Sequence, residues 1–127
     1  MKFALAILLL SVLTLGQNDK SIAISPVAVY FGKVAIRPRW LTVQNFTVIN
    51  STGQPIKITN VKLGDATNSM VTYDDCPHYP LTLGNAYVCV ISVAARPQSL
   101  GVKPSSLVVS SNAGDVSVRL NVTGVAQ

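Results

Sequence analysis

Val116-Ser117-Val118-Arg119-Leu120-Asn121-Val122-Thr123 alternates apolar and polar residues without a break. In an extended chain successive side chains point to opposite faces, so Val116, Val118, Leu120 and Val122 share one face and Ser117, Arg119, Asn121 and Thr123 the other. On a helix the same letters would scatter both sets around the axis, so the stretch reads as a strand with one buried face and one wet face. The code recurs upstream. Phe46 and Val48 stand against Thr47; Ile91, Val93 and Ala95 against Ser92 and Ala94; Leu107 and Val109 against Ser106 and Ser110. Taken with the Pro and Gly punctuation, seven runs read as strands: Ile24 to Phe31, Leu41 to Asn50, Ile56 to Leu63, Ser69 to Tyr73, Ala86 to Ala95, Ser105 to Ser110 and Val116 to Val125. Val, Ile and Thr dominate them, Glu is absent from the whole chain, and no stretch reads as an amphipathic helix. The fold class is all-β, a sandwich of about seven strands in two antiparallel sheets. In the third run Ile56 and Ile58 keep period two while Val61 and Leu63 are out of phase by one, so a bulge is expected near Thr59-Asn60.

At 127 residues and 49% hydrophobic, the chain suits one packed domain and excludes a large multidomain enzyme. Its net charge of +5 suits a soluble domain and does not call for nucleic acid. Lys2, the apolar run Phe3 to Leu15 and the polar stretch from Gly16 to Lys20 have the form of a secretory signal, too short for the roughly 20 apolar residues of a membrane span. The expected organisation is a cleaved signal over 1–16, an amino-terminal arm over 17–23 and one domain over 24–127. The mature form then has no transmembrane span and is secreted or periplasmic. No Cys follows the apolar run to accept a lipoprotein anchor. Cys76 and Cys89, the only two cysteines, fall in the exported part, where an oxidising compartment favours pairing them.

Five segments in order also resemble a known family. Tyr30-Phe31-Gly32-Lys33-Val34, Phe46 to Ile58, Cys76 with Leu83-Gly84 and Cys89 to Pro97, Gly101 with Leu107 to Ser111, and Val118 to Gly124 are similar to the abnormal-spindle and Hydin (ASH) type of immunoglobulin-like domain. The sequence departs from it at Ala95, where an aromatic is usual before Arg96-Pro97, and at Cys76-Pro77, where Cys-Gly is common. The resemblance implies an immunoglobulin-like sandwich in a binding or scaffold module without catalytic residues. On physical grounds, Gly32 and Gly53 sit where strands end and turns need positive φ. Asn50 closes a strand, where its amide can bond the following turn.

The richest polar cluster is Asp74-Asp75-Cys76-Pro77-His78-Tyr79, which holds the single His. Zinc normally wants four ligands and a second His is missing; a cysteine nucleophile would need a free thiol, which pairing with Cys89 consumes. Gly-x-Ser-x-Gly, phosphate-cradling and dinucleotide motifs are absent, and the seven-strand assignment places the five acids, all Asp, in loops or the arm. The expectation is no enzyme, no metal and no cofactor. Lys33, Arg37, Arg39 and Trp40 follow the first strand and form one candidate contact surface, since Arg and Trp are enriched at energetic centres of interfaces. Val88, Val90 and Val108 alternate outward and form another. RNA stacking would want several exposed aromatics beside the cations, and only Trp40 is there. Asn45, Asn50 and Asn121 begin Asn-x-Thr sequons, of use only to a glycosylating host. The function expected is a non-catalytic protein-binding or structural module of a cell-envelope, secretion or surface assembly. Its partners are envelope or surface proteins or further copies of itself, with a self-assembling pilus or fibre subunit as the alternative.

Overall fold

In a computed structural model, which describes residues 22–37 and 42–126, the alternating runs pair into two four-stranded sheets. The strands are β1 (Ile22–Ser25), β2 (Ala28–Ala35), β3 (Thr42–Asn50), β4 (Ile58–Leu63), β5 (Ser69–Asp74), β6 (Val88–Ala95), β7 (Gly101–Ser111) and β8 (Gly114–Val125). One sheet has the order β1-β3-β6-β5 and the other β2-β8-β7-β4. The expected signal segment, most of the arm, and residues 38–41 lie outside the described residues.

The first expected strand is two. Pro26 offers no N–H to a ladder, and the chain leaves one sheet there and enters the other: β1 pairs with β3 in the first sheet, and β2 pairs with β8 in the second. β1 also starts at Ile22, opposite Asn50, two residues ahead of the expected Ile24. Because β2 keeps the direction of β1, it lies parallel to β8 while every other pairing is antiparallel. The second sheet is therefore mixed, where two purely antiparallel sheets were expected. β7 runs longer than expected and takes in Pro104, at a level that β4, ending at Leu63 opposite Leu107, does not reach.

The alternating apolar faces meet between the layers. Phe46 and Val48 of β3 and Ile91 and Val93 of β6 face Ile58, Leu107, Val109 and Val118 of the second sheet, all with 0% of their surface exposed. Fully burying one such side chain is worth about 1.5–3 kcal/mol, so this set carries most of the fold's stability. The bulge expected near Thr59-Asn60 is present: the register shifts between Ile58 and Asn60, which restores the phase of Val61 and Leu63. Two further shifts, between Tyr30 and Gly32 and between Val71 and Tyr73, have no such signature in the sequence.

Asn50 is fully buried and holds one end of the sandwich together. Its Nδ2 donates to the carbonyls of Gln54 (2.7 Å), Leu83 (2.9 Å) and Gly84 (3.1 Å), and its Oδ1 accepts from Thr52 N (2.9 Å) and Thr52 Oγ1 (2.7 Å). The turn it caps has Gly53 at φ 88°, the left-handed conformation expected there, and Gly32 has φ 86°.

The connection from β5 to β6 ties the two sheets at one edge. Leaving β5, it bridges across to the second sheet at His78 beside Ile58 and Leu83 beside Ile56, then returns to β6. Cys76 and Cys89 form the expected disulfide, S–S 2.04 Å, and both sulfurs pack in the core with Leu83.

Candidate functional site

Both carboxylates of the 74–79 cluster and the imidazole Nε2 are engaged by the fold. Asp74 accepts from Cys76 N at 2.9 Å through Oδ1 and meets His78 Nε2 at 2.8 Å through Oδ2. Asp75 accepts from Val90 N at 2.7 Å and from the Tyr73 hydroxyl at 3.3 Å. The negative charge of Asp75 raises the Tyr73 pKa above the ordinary phenol value, with desolvation and their hydrogen bond adding to the effect. Asp75, Cys76 and Cys89 bring their ligand atoms within 4.8 Å of one another, but both sulfurs are spent in the disulfide and leave no thiolate for a metal or a nucleophile. The arrangement extends the β5–β6 pairing by one residue, with Asp75 N donating to Val90 O.

The residues expected to form contact surfaces do not come together. Val88 and Val90 project from β6 on the outer face of the β1-β3-β6-β5 sheet; Val108 projects from β7 on the outer face of the other sheet, between Lys62 and Ser117. An outward position in a strand does not reveal which layer the strand joins, so these three could not be grouped correctly without the pairing. Lys33 is exposed on β2, beside Thr123, and Arg37 is exposed in the turn that follows; Arg39 and Trp40 lie outside the described residues.

The two outer faces differ in chemistry. Across the first sheet the outward rows are Ala23-Ile49-Val88, Ser25-Thr47-Val90, Asn45-Ser92-Tyr73 and Val43-Ala94-Met70. Val88 is 56% exposed, Tyr73 53% and Val43 46%, and the one charged residue on these rows is Asp75, which continues the Ser25-Thr47-Val90 row. Asp75, beside Val90, is the nearest acid, and its carboxylate is already bonded. Across the second sheet the outward positions include Lys62, Arg119 and Lys33, together with Ser106, Ser117, Asn121 and Thr123. Sequence reasoning missed Val43, Ile49, Met70 and Tyr73. The alternation of β3 was a usable signal, since Val43 and Ile49 share the parity of Thr47, not of Phe46.

Of the three sequons, Asn50 is fully buried with both its amide hydrogens engaged by carbonyls, so the folded chain offers no acceptor there. Among the described residues no helix is long and apolar enough to cross a membrane.

No family model matches the sequence, and no curated protein matches it. Solved structures match in fold. The VesB protease of Vibrio cholerae superposes with a TM-score of 0.61 at 19% identity, over 87% of this chain and 34% of that one. The secreted serine protease VesC of the same organism gives 0.64 at 14% identity, over 87% of this chain and 24% of that one. The ASH/PapD-like domain 7 of human CEP192 gives 0.58 at 13% identity, over 85% of this chain and 87% of that one. The fold is that of an ASH/PapD-like immunoglobulin domain. This chain spans about a third and a quarter of the two proteases, whereas it is coextensive with the human ASH/PapD-like domain.

Proposed function

We propose that this chain is an exported, non-catalytic protein-binding module of the cell envelope or its exterior, docking through the valine-bearing outer face around Val88 and Val90. One observation carries the reading: an antiparallel layer of a small sandwich normally presents polar residues to water, and this one presents Val43, Ile49, Val88 and Val90. The disulfide supports export, because such bonds persist in oxidising compartments. The signal-like residues 1–16 supply the route. A binding role accords with an ASH/PapD-like fold that contains one histidine, already paired with Asp74, and two cysteines joined to each other. The resemblance to the two proteases covers a third of their length or less, so this reading assigns hydrolysis to the remainder of those chains.

A photo-crosslinking side chain placed at position 88, and separately at the exposed position 57 in the loop before β4, tests the proposal in the native envelope. The expected result is one defined crosslinked protein from position 88 and none from 57. Equal or absent crosslinking from both positions overturns the docking face. A crosslink from 88 to a second copy favours the self-assembling reading, for which β1, a four-residue edge strand with no charged side chain, is the site of strand exchange.

A further inference from the structure

The outer face of the β2-β8-β7-β4 sheet carries a separate feature. The pairings give its outward rows as Lys62-Val108-Ser117, Ser106-Arg119-Ala28, Pro104-Asn121-Tyr30 and Val102-Thr123-Lys33. Lys62, Arg119 and Lys33 thus form a diagonal from one edge strand to the other. None has a carboxylate partner, since the one ion pair among the described residues is His78–Asp74. The only acid on this face, Asp115, sits opposite Ser110, one row beyond Lys62 and away from Arg119 and Lys33.

Between the Arg119 and Lys33 rows lies a groove of about 560 Å³ whose walls include Tyr30, 64% exposed, and Pro104. Asn121 lies between those walls. Its Oδ1 is the one buried side-chain polar atom among the described residues with no hydrogen-bond partner. Tyr30 is lightly held, its hydroxyl lying 3.4 Å from Thr123 Oγ1.

Strand spacing and rise place Lys62 and Arg119 about 12 Å apart, and Arg119 and Lys33 about 14 Å apart. Each interval equals about four residues of an extended chain. That is wider than the spacing of neighbouring phosphates on a nucleic acid backbone, and it leaves the groove with its Tyr30 and Pro104 walls between the second and third charges.

We propose that this face binds an extended acidic peptide segment, with carboxylates four residues apart on Lys62, Arg119 and Lys33 and an apolar side chain seated between Tyr30 and Pro104. The guanidinium of Arg119 takes the central carboxylate as a forked pair, which fixes the register of the segment. The proposal rests on the reading of this chain as a protein-binding module, and uses the opposite face from the one assigned above.

An eleven-residue peptide with Asp at positions 2, 6 and 10 and Leu at position 8, otherwise Gly and Ser, is the probe, titrated into the full mature chain by fluorescence anisotropy and by amide-shift mapping. Saturable binding should move resonances of β2, β8 and β7. Arg119→Glu should weaken it about tenfold, and Lys33→Glu, Lys62→Glu or Tyr30→Ala about threefold each. Lys57→Glu, which alters a lysine stacked on Tyr79 off this face, should leave it unchanged. All these residues except Lys57 lie outward on strands with exposed side chains, and the shift map verifies that each variant is folded. The proposal is overturned if the Asn-for-Asp peptide binds as tightly, if dextran sulfate binds as well as the peptide and ignores Arg119→Glu, or if the shifts fall on β6 around Val88. The last outcome, or crosslinking from position 88 without peptide binding, leaves the docking module standing and removes only this groove.

Discussion

Replacing Asn50 with alanine should be among the most damaging single changes to a polar residue in this protein, and its cost can be worked from its bonds. The side chain's two N–H groups are shared among three carbonyls, and its Oδ1 accepts two bonds. The three carbonyls that lose a donor each keep another: Gln54 O has Thr52 Oγ1, Leu83 O has Ile56 N and Gly84 O has Tyr87 N. No acceptor is left wholly unpaired, so each lost bond counts at the low end of the range for buried groups, about 1 kcal/mol. The two N–H groups count as two such bonds and the two partly solvated bonds from Thr52 about half as much each, giving about 3 kcal/mol in all, a large fraction of a typical stability of about 5–15 kcal/mol. Asn50→Asp should cost more, because a carboxylate facing three carbonyl oxygens can donate to none of them. Equilibrium urea unfolding of the mature chain measures this directly, as a shift in midpoint at constant slope. Asn45→Ala is the control. Asn45 begins another sequon but is exposed on β3, and its Oδ1 accepts a single bond, from Ser92 Oγ at 2.6 Å. It should lose about 1 kcal/mol or less. If Asn50→Ala proves no worse than Asn45→Ala, the argument that this amide fastens the turn at 51–55 to the excursion at 83–87 is wrong.

Three further outcomes follow from the geometry. Cys76→Ser with Cys89→Ser should lower stability by about 3 kcal/mol in the chain-entropy account, and an unchanged urea midpoint would show that the hydrogen bonds around Asp74 and Asp75 suffice without the bond. Asp65 has its pKa held below the ordinary 3.8, chiefly by the Asn68 amide donating to it, with the backbone N–H groups of Asn68 and Thr67 and the charge of Lys103 helping against partial desolvation. A folded value below the unfolded one stabilises fully above about pH 4, and that contribution is lost as pH falls through the folded value. The stability gap between wild type and Asp65→Asn should therefore narrow on acidification below pH 4; a gap independent of pH there would refute the assignment. Gly124→Ala should destabilise by about 2 kcal/mol or more, because an added Cβ would collide with the backbone carbonyl of Ser99, which a flexible side chain cannot relieve. Thermal unfolding reads it, and a change under about 0.5 kcal/mol would show that the 97–100 turn yields easily.

Much of this fold was legible because strand alternation is a local property. Val118, Leu120 and Val122 declare their burial within one octapeptide, and the slipped phase of Val61 and Leu63 was enough to locate a bulge at Thr59. The bulges at Phe31 and Thr72 left no trace, because Phe31 packs against both core clusters from its displaced position and Thr72 is exposed, so neither breaks the apolar pattern. Asn50 was legible as a turn residue but not as a fastener, since two of its acceptors come from residues 83 and 84, more than thirty positions away. The crossing at Pro26 was hidden by continuity. Ile24, Val29 and Phe31 read as one apolar run although they serve two sheets.

The candidate surfaces were the least legible part, for a reason that applies to any sandwich. Inward residues are constrained by a core that both sheets share, so their identity as a set survives without knowledge of topology. Outward residues belong to one of two faces that never meet, and the assignment depends wholly on which strands are neighbours. Val88 and Val108 look equivalent in sequence, each an apolar residue in an outward register. Pairing with Ile49 puts Val88 in an uncharged field, and pairing with Lys62 and Ser117 puts Val108 in a charged one. The same pairing takes Lys33 out of a local group with Arg37 and gives it to a diagonal with Arg119 and Lys62, from strands up to 86 positions away in the chain. The separation of an apolar face from a cationic one is thus a product of strand order.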